Sequence, residues 1–114
     1  MSRRESGRVL RDPAPVFAAL GDPTRLELIS RLTEGQARSI TQLADGLGLT
    51  RQGVTKHLRV LEDAGVVHSV RVGRESRFTF VPDRLHELQS YLDRVSRQWD
   101  DALSRLRSFV RRVP

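Results

Sequence analysis

The sequence predicts a mainly α fold with one small β-hairpin (class α+β), and three stretches of the chain carry that prediction. Residues 43–64 hold two short amphipathic patterns separated by Gly48, which is typical of a helix-turn-helix. Residues 66–81 contain two strand-like runs around a glycine-bearing turn, which predicts a hairpin. Residues 83–113 follow an apolar three-four repeat that no glycine or proline interrupts, which predicts one long C-terminal helix.

These stretches divide the chain into three parts. Residues 1–11 form a basic arm that we expect to be flexible. Residues 12–81 form the domain that contains the helix-turn-helix and the hairpin, and residues 82–114 form the C-terminal helix. The whole chain carries a formal net charge of +6, and such a balance favours a polyanionic partner, either nucleic acid or an acidic membrane.

Two helices are predicted ahead of the helix-turn-helix. Asp12-Pro13 and Asp22-Pro23 each place an N-cap residue before a proline in the first helical turn. Arg25, near the start of the second helix, is interpreted as one half of a surface ion pair. The first helix carries the large apolar residues Val16, Phe17 and Leu20. The second helix is expected to bury Leu26 and Ile29, with Leu28 and Leu32 as further candidates.

The helix-turn-helix follows a predicted loop at residues 35–39. Thr41 is expected to cap its first helix, which ends at Gly48, and Leu49 is expected to return to the core. Thr50 is the predicted N-cap of the second helix. The buried face of that second helix is defined by the i, i+4, i+7 spacing of Val54, Leu58 and Leu61.

The opposite face of the second helix combines hydrogen-bonding and cationic side chains close to the helix N-terminus. Glutamine and arginine can pair with adenine and guanine edges through two hydrogen bonds, threonine can contact a base or its methyl group, and lysine suits phosphates. The alternative is an ordinary solvated helix face. The candidate DNA-contacting residues of this segment are Thr50, Arg51, Gln52, Thr55, Lys56 and Arg59.

The hairpin adds a second cationic surface. Phe78 and Phe80 share one face of the returning strand, and three arginines surround the strands and their turn. A hairpin with cations at its end that follows such a helix is typical of a wing, which reaches a neighbouring minor groove or its phosphates. These arginines are Arg71, Arg74 and Arg77.

Three segments together resemble a known family. The runs FAALGDPTRLELISRL, ITQLADGLGLTRQGVTKHLRVLEDAGVV and VRVGRESRFTF, in this order, resemble the ArsR family of winged helix-turn-helix transcriptional repressors, over roughly residues 16–92. The resemblance implies a winged helix-turn-helix that binds a double-stranded DNA operator as a homodimer. In this family an effector, often a metal ion, releases the DNA, and the region of Arg25 lies near the DNA or the dimer contact, which is the alternative to a surface ion pair. The expected operator is an inverted repeat that the two recognition helices read about one helical turn apart.

The C-terminal helix is expected to form the dimer interface. Thirty helical residues span about 45 Å, which is longer than a small winged domain, so the far half of the helix needs a second subunit to pack against. The alternative is a helix that kinks and folds back on its own chain. The candidate interface residues are Phe17, Leu88, Leu92, Val95, Trp99, Leu106 and Phe109.

The residues argue against a metal site. There is no cysteine, which excludes disulfides and thiolate ligands, and no two histidines stand at i and i+4. The His57 side chain is expected to be packed or hydrogen-bonded. A metal-responsive repressor remains an alternative only if Asp83 and His86 are joined by ligands from the other subunit. The residues identify no effector.

Other classes of function find little support in the sequence. There is no phosphate-binding glycine loop and no nucleophile beside a base, so we expect neither an enzyme nor a cofactor. No apolar run is long enough to span a membrane, and the first residues lack a signal peptide, so the expected location is the cytoplasm. Winged helices also serve as protein interaction modules, but such a module does not need cations on both the helix and the hairpin.

Overall fold

The computed structural model describes residues 12–112, so the predicted basic arm at residues 1–11 lies outside the described part. The helices within it are α1 (Ala14–Leu20), α2 (Pro23–Leu32), α3 (Ile40–Ala44), α4 (Arg51–Asp63) and α5 (Asp83–Arg112). The strands are β1 (Arg38–Ser39), β2 (Val67–Val72) and β3 (Glu75–Phe80). This is the predicted mainly α fold with a hairpin, and α3 and α4 are the two helices of the helix-turn-helix.

The two aspartate-proline pairs begin α1 and α2 in different ways. At α2, the Asp22 carboxylate accepts a hydrogen bond from the backbone N–H of Arg25 at 3.1 Å, as an N-cap should. This hydrogen bond also holds the pKa of Asp22 below its usual value. At α1 the N-cap is Pro13, one residue later than predicted, and Asp12 accepts from the N–H of Ala14 at 3.0 Å.

The start and end of α3 differ from the prediction. Its N-cap is Ser39, not Thr41: the Ser39 hydroxyl accepts from the backbone N–H of Gln42, while the Gln42 side chain accepts from the N–H of Ser39. The helix ends at Ala44, before Gly48. The turn that follows contains two residues with positive φ, 76° at Gly46 and 71° at Gly48, a backbone region that favours glycine.

The sheet has a strand that the sequence did not predict. β1 lies in the expected loop at residues 35–39 and pairs antiparallel with β3, so that Arg38 stands opposite Phe78 and Ser39 opposite Arg77. β2 pairs antiparallel with the other edge of β3, which gives the strand order β1-β3-β2 within the described residues. β3 is therefore the central strand of the sheet, and β1 and β2 are its two edges.

The core lies between α2, α4 and the base of the hairpin. Val54, Leu58 and Leu61 are fully buried, which confirms the predicted inner face of α4. Leu26 and Leu49 were expected in the core, but they are 51% and 41% exposed. The residues that form the core are Val16, Ala19, Leu28, Ile29, Leu32, Leu43, Val54, Leu58, Leu61, Val66, Val67, Phe78 and Leu88.

The C-terminal helix α5 is continuous, which excludes the alternative in which it folds back. Leu88, near its start, is the one buried residue among the described residues of α5. Beyond Tyr91 the helix leaves its own domain, and the molecule is 72 Å long in its longest direction. None of the helices in the described range is long and apolar enough to cross a lipid bilayer. The large apolar side chains left exposed on α5 are Leu92, Trp99, Leu103, Leu106, Phe109 and Val110.

Candidate nucleic-acid interface

The helix α4 is anchored at both its start and its inner face. Thr50 caps its first turn, because the Thr50 hydroxyl accepts from the backbone N–H of Gly53 at 3.0 Å. A Cβ added to Gly53 would lie 3.3 Å from that hydroxyl, so a glycine leaves room for the cap. The Thr50 hydroxyl thus caps the helix. Its predicted contact with DNA can use only the hydroxyl hydrogen and the second lone pair of the oxygen.

The outward face of α4 presents the predicted polar residues together. Arg51, Gln52, Lys56 and Arg59 are exposed, while Thr55 is half-buried. The Thr55 hydroxyl donates to the carbonyl oxygen of Arg51 at 2.7 Å, so it offers an outside partner its oxygen lone pairs and its methyl group. A groove of about 510 Å³ runs along this face, lined by Ile40, Arg51, Gln52, Thr55 and Lys56.

A side chain of α2 fixes the turn between α3 and α4. The Arg31 guanidinium donates to the carbonyl oxygens of Leu43 and Asp45, which the end of α3 leaves without helical partners. Its Nε also lies 3.1 Å from the Glu27 carboxylate one turn earlier. The sequence shows the Glu27–Arg31 spacing but gives no sign that Arg31 caps a helix more than ten residues away.

Within residues 12–112, Arg25 makes hydrogen bonds in place of the predicted surface ion pair. Its Nε donates to the carbonyl oxygen of Ala19 at 2.6 Å, and one terminal nitrogen donates to that of Ala18 at 3.3 Å. The other terminal nitrogen lies 3.1 Å from Nδ1 of His57 on α4. The expected hydrogen-bonded role of His57 is thus met by Arg25, and the Asp22 carboxylate lies 3.8 Å from the same ring nitrogen.

The wing places only two of its three arginines near its tip. Arg74 is exposed in the turn beside Gly73, which has a φ of 65°, and Nε of Arg71 lies 3.4 Å from the Gly73 carbonyl oxygen. Arg77 lies farther back, in the central strand between Ser39 and Val70, with its Nε 3.5 Å from the Glu75 carboxylate. Arg77 is therefore a residue of the sheet more than of the tip.

Replacing Arg74 with alanine should weaken DNA binding without affecting the fold. The side chain is exposed at the tip, so its loss should lower the affinity for DNA and reduce the slope of log affinity against log salt by about one. The melting temperature should not change. Arg97→Ala is the matched control, because Arg97 is an exposed arginine on the face of α5 opposite its apolar side chains. If Arg74→Ala and Arg97→Ala have the same DNA affinity and the same salt slope, Arg74 at the tip of the wing does not contact DNA.

Metal-ligating side chains are not gathered in the described part of the chain. Within residues 12–112, no group of three or more His, Cys, Asp or Glu side chains could hold a metal ion. Asp83 and His86, the pair considered for an intersubunit site, both lie exposed in the first turn of α5.

Comparisons with known proteins agree with this geometry. A family model described as a helix-turn-helix domain matches residues 20–70. An ArsR-like transcriptional regulator from Rhodococcus sp. RHA1 is 38% identical with a TM-score of 0.74, and the match covers 85% of this chain and 91% of that one. An uncharacterized HTH-type transcriptional regulator from Methanocaldococcus jannaschii is 30% identical over 72% of this chain and 92% of its own length.

A third relative shares the fold. It is the homodimeric winged helix-turn-helix DNA-binding domain of a possible ArsR-family regulator from Mycobacterium bovis, with a TM-score of 0.61. The match covers 86% of this chain and 91% of that domain. At 21% identity the likeness concerns the fold alone.

Proposed function

This chain belongs to the ArsR family of winged helix-turn-helix transcriptional regulators, and we propose that it acts in the cytoplasm as a homodimeric repressor that binds an inverted-repeat DNA operator. The observation that carries the proposal is the outward face of α4. Four exposed polar or cationic side chains stand on a helix whose inner face is fully buried, so the backbone that carries them is held in place. Such a face suits the edges of bases in a major groove.

The side chains of this face would divide their roles by chemistry. Gln52 and Thr55 would meet base edges, because an amide can make two hydrogen bonds to adenine and the threonine methyl suits thymine. Lys56 would meet a phosphate, and Arg51 and Arg59 would contact phosphates or guanine. In the wing, Arg74 and Arg71 would reach the adjacent minor groove or its phosphates, while Arg77 would support them from the central strand.

The exposed apolar side chains of α5 support a second copy of the chain as partner. We name this surface, formed by Leu92, Trp99, Leu103, Leu106, Phe109 and Val110, the α5 stripe. Its members recur at spacings of three, four and seven residues, as in a helix that packs along another helix. Phe17, 38% exposed on α1, lies beside Tyr91 at the near end of the α5 stripe and would extend the interface. The relative from M. bovis is a homodimer with the same fold.

Repression would follow from occupancy of the operator. A dimer with two recognition helices and two wings covers both half-sites and the grooves beside them, which excludes other proteins from that DNA. Activation would require a further surface that contacts the transcription machinery. The proposal therefore needs only the DNA face and the dimer face described above.

Genomic DNA retained by the purified protein tests the proposal. We expect the retained fragments to share an inverted repeat with half-site centres about 10 base pairs apart, or a multiple of that distance. A promoter that contains the repeat should be less active when the protein is present. A variant with both Gln52→Ala and Lys56→Ala should no longer enrich the repeat. Retention of no specific sequence would contradict the proposal and favour a protein interaction module.

A further inference from the structure

We propose that Arg25 is a positioning residue that holds the recognition helix α4 against α1, so that the orientation of the DNA-reading face depends on α1 and on the dimer face beside it. The inference rests on the proposed function, because it concerns the affinity of α4 for an operator. Arg25 itself lies on α2, outside the polar face of α4 and outside the wing. Its effect on DNA would therefore act through His57.

One guanidinium joins three helices. Arg25 belongs to α2, donates to the carbonyl oxygens of Ala18 and Ala19 at the end of α1, and contacts Nδ1 of His57 on α4. The last carbonyl groups of a helix have no partner in the next turn. The contact with Ala19 satisfies such a group, whereas the Ala18 carbonyl oxygen also accepts from the backbone N–H of Gly21 at 3.3 Å. The planar fork of arginine can serve these acceptors together, whereas the single ammonium of a lysine cannot.

The contact with His57 requires a particular form of the imidazole ring. Nδ1 can accept the Arg25 hydrogen bond only when the ring is neutral and its proton is on Nε2. The charged groups that face this nitrogen among the described residues are Arg25 at 3.1 Å and the Asp22 carboxylate at 3.8 Å. Asp22 caps α2 through the backbone N–H of Arg25. With its proton on Nε2 the ring has no donor at Nδ1 for the Asp22 carboxylate, so Arg25 is the hydrogen-bond partner of this nitrogen.

The packing of α4 against α1 leaves a cleft at the surface. The cleft has a volume of about 420 Å³, and Ala18, Ala19, Arg25, Val60 and Ala64 are among the residues that line it. Val60 is 40% exposed. The hydrogen bonds of Arg25 with Ala18, Ala19 and His57 therefore add to an apolar contact between the two helices that is incomplete at the cleft.

The other side of α1 contacts α5, the helix proposed to form the dimer interface. The Phe17 ring packs edge-on against Tyr91 of α5, with ring centres 6.1 Å apart, and the Arg94 guanidinium lies 5.7 Å from the centre of the Tyr91 ring. The connected series of contacts therefore runs from Tyr91 through α1 to Arg25 and His57. A displacement of α5 on assembly could reach α4 along this series, while base recognition tolerates misplacement of only about half an ångström.

Variants of Arg25 should affect specific binding selectively. With Arg25→Gln, we expect operator affinity to fall roughly tenfold, while affinity for a scrambled duplex changes only as much as in the Arg97→Gln control. The salt slope should stay at the wild-type value, because Arg25 is not proposed to contact a phosphate. Arg25→Lys should show the same selective loss although it keeps the charge.

Variants of His57 separate positioning from fold stability, because they leave the contacts of Arg25 with α1 in place. His57→Asn keeps an acceptor oxygen close to the position of Nδ1, and it should bind the operator about as well as the wild type. His57→Leu removes the acceptor and should lose as much affinity as Arg25→Gln. Because the two residues act through one contact, the double variant should be no weaker than either single variant.

Three outcomes would overturn the inference. The first is unchanged operator affinity in the Arg25 and His57→Leu variants, and the second is additive losses in the double variant. The third is an equal loss on operator and scrambled duplexes with a salt slope reduced by about one, which would make Arg25 a phosphate contact. If Arg25→Gln melts at a lower temperature than the wild type, the His57 variants test the inference in its place. Equal operator affinity of His57→Asn and His57→Leu would then overturn it.

A measurement without DNA separates this inference from the proposed function. Nitrogen NMR of the neutral His57 ring should show Nδ1 as an unprotonated nitrogen that accepts a hydrogen bond, and Arg25→Gln should shift its resonance toward that of a ring nitrogen without such a bond. If the Nδ1 resonance is the same in the wild type and in Arg25→Gln, the inference is wrong whatever the protein binds. A wild-type protein that binds no operator but shows the Arg25-dependent Nδ1 resonance would contradict the proposed function alone.

Discussion

Replacing Trp99 with aspartate should convert the proposed dimer into monomers and abolish tight operator binding. Trp99 is 64% exposed in the single chain and lies near the middle of the α5 stripe, with Leu92 and Leu106 seven residues to either side. Large aromatic side chains at the centre of an interface often contribute most of its binding energy. An aspartate there would be an unpaired charge in the interface, which is strongly destabilising.

The loss of operator affinity in Trp99→Asp should be larger than the loss of any single base contact could cause. A dimer binds its second half-site as an intramolecular step, which can raise overall affinity roughly 100- to 10,000-fold above that of one half-site. The monomeric variant should lose most of that factor, although its α4 and wing are unchanged. Sedimentation measures the oligomeric state, and operator titration with the same samples measures the affinity.

Ser104→Asp is the matched control for this variant. Ser104 is exposed on the face of α5 opposite the α5 stripe, so the substitution introduces the same charge on the same helix away from the proposed interface. It should remain dimeric and bind the operator nearly as well as the wild type. A Trp99→Asp protein that sediments as a dimer, or a wild type that is monomeric at micromolar concentration, would remove the α5 stripe from the interface.

The parts of the fold that the sequence predicted are those that local spacing determines. The inner face of α4 follows from Val54, Leu58 and Leu61, because a helix turns once every 3.6 residues and all three side chains fall on one side. The Thr50 cap depends on residues within the same turn. The apolar repeat of α5 likewise predicted a single helix, although the same repeat did not single out Leu103 and Val110 as part of its exposed surface.

The parts that the sequence did not predict depend on residues far apart in the chain. β1 is only two residues long and exists because Arg38 and Ser39 pair with β3, some forty residues later. The contacts of Arg25 with His57 and of Arg31 with the end of α3 have no local signature either. Leu26 has the apolarity of a core residue, but the tertiary packing of α2 buries Leu28, Ile29 and Leu32 instead.

Replacing Gln52 with alanine should reduce affinity for the preferred operator by about 1 to 3 kcal/mol, which corresponds to roughly 5- to 150-fold. Gln52 is exposed in the first turn of α4, where its amide can make two hydrogen bonds to one adenine. Alanine also favours the helix, so the fold should not suffer. The affinity of Gln52→Ala should be the same when the base pair that Gln52 contacts is changed, because the variant makes no hydrogen bonds that distinguish one base pair from another there.

Lys56→Ala is the comparison that assigns the roles, since Lys56 lies one turn later on the same exposed face. If Lys56 contacts a phosphate, its loss should weaken operator and scrambled duplexes alike and lower the salt slope by about one. Gln52→Ala should leave both the scrambled duplex and the salt slope unchanged. Binding titrations of both variants on both duplexes at several salt concentrations measure these differences. Equal losses on the two duplexes for both variants would mean that this face of α4 binds DNA without reading its sequence.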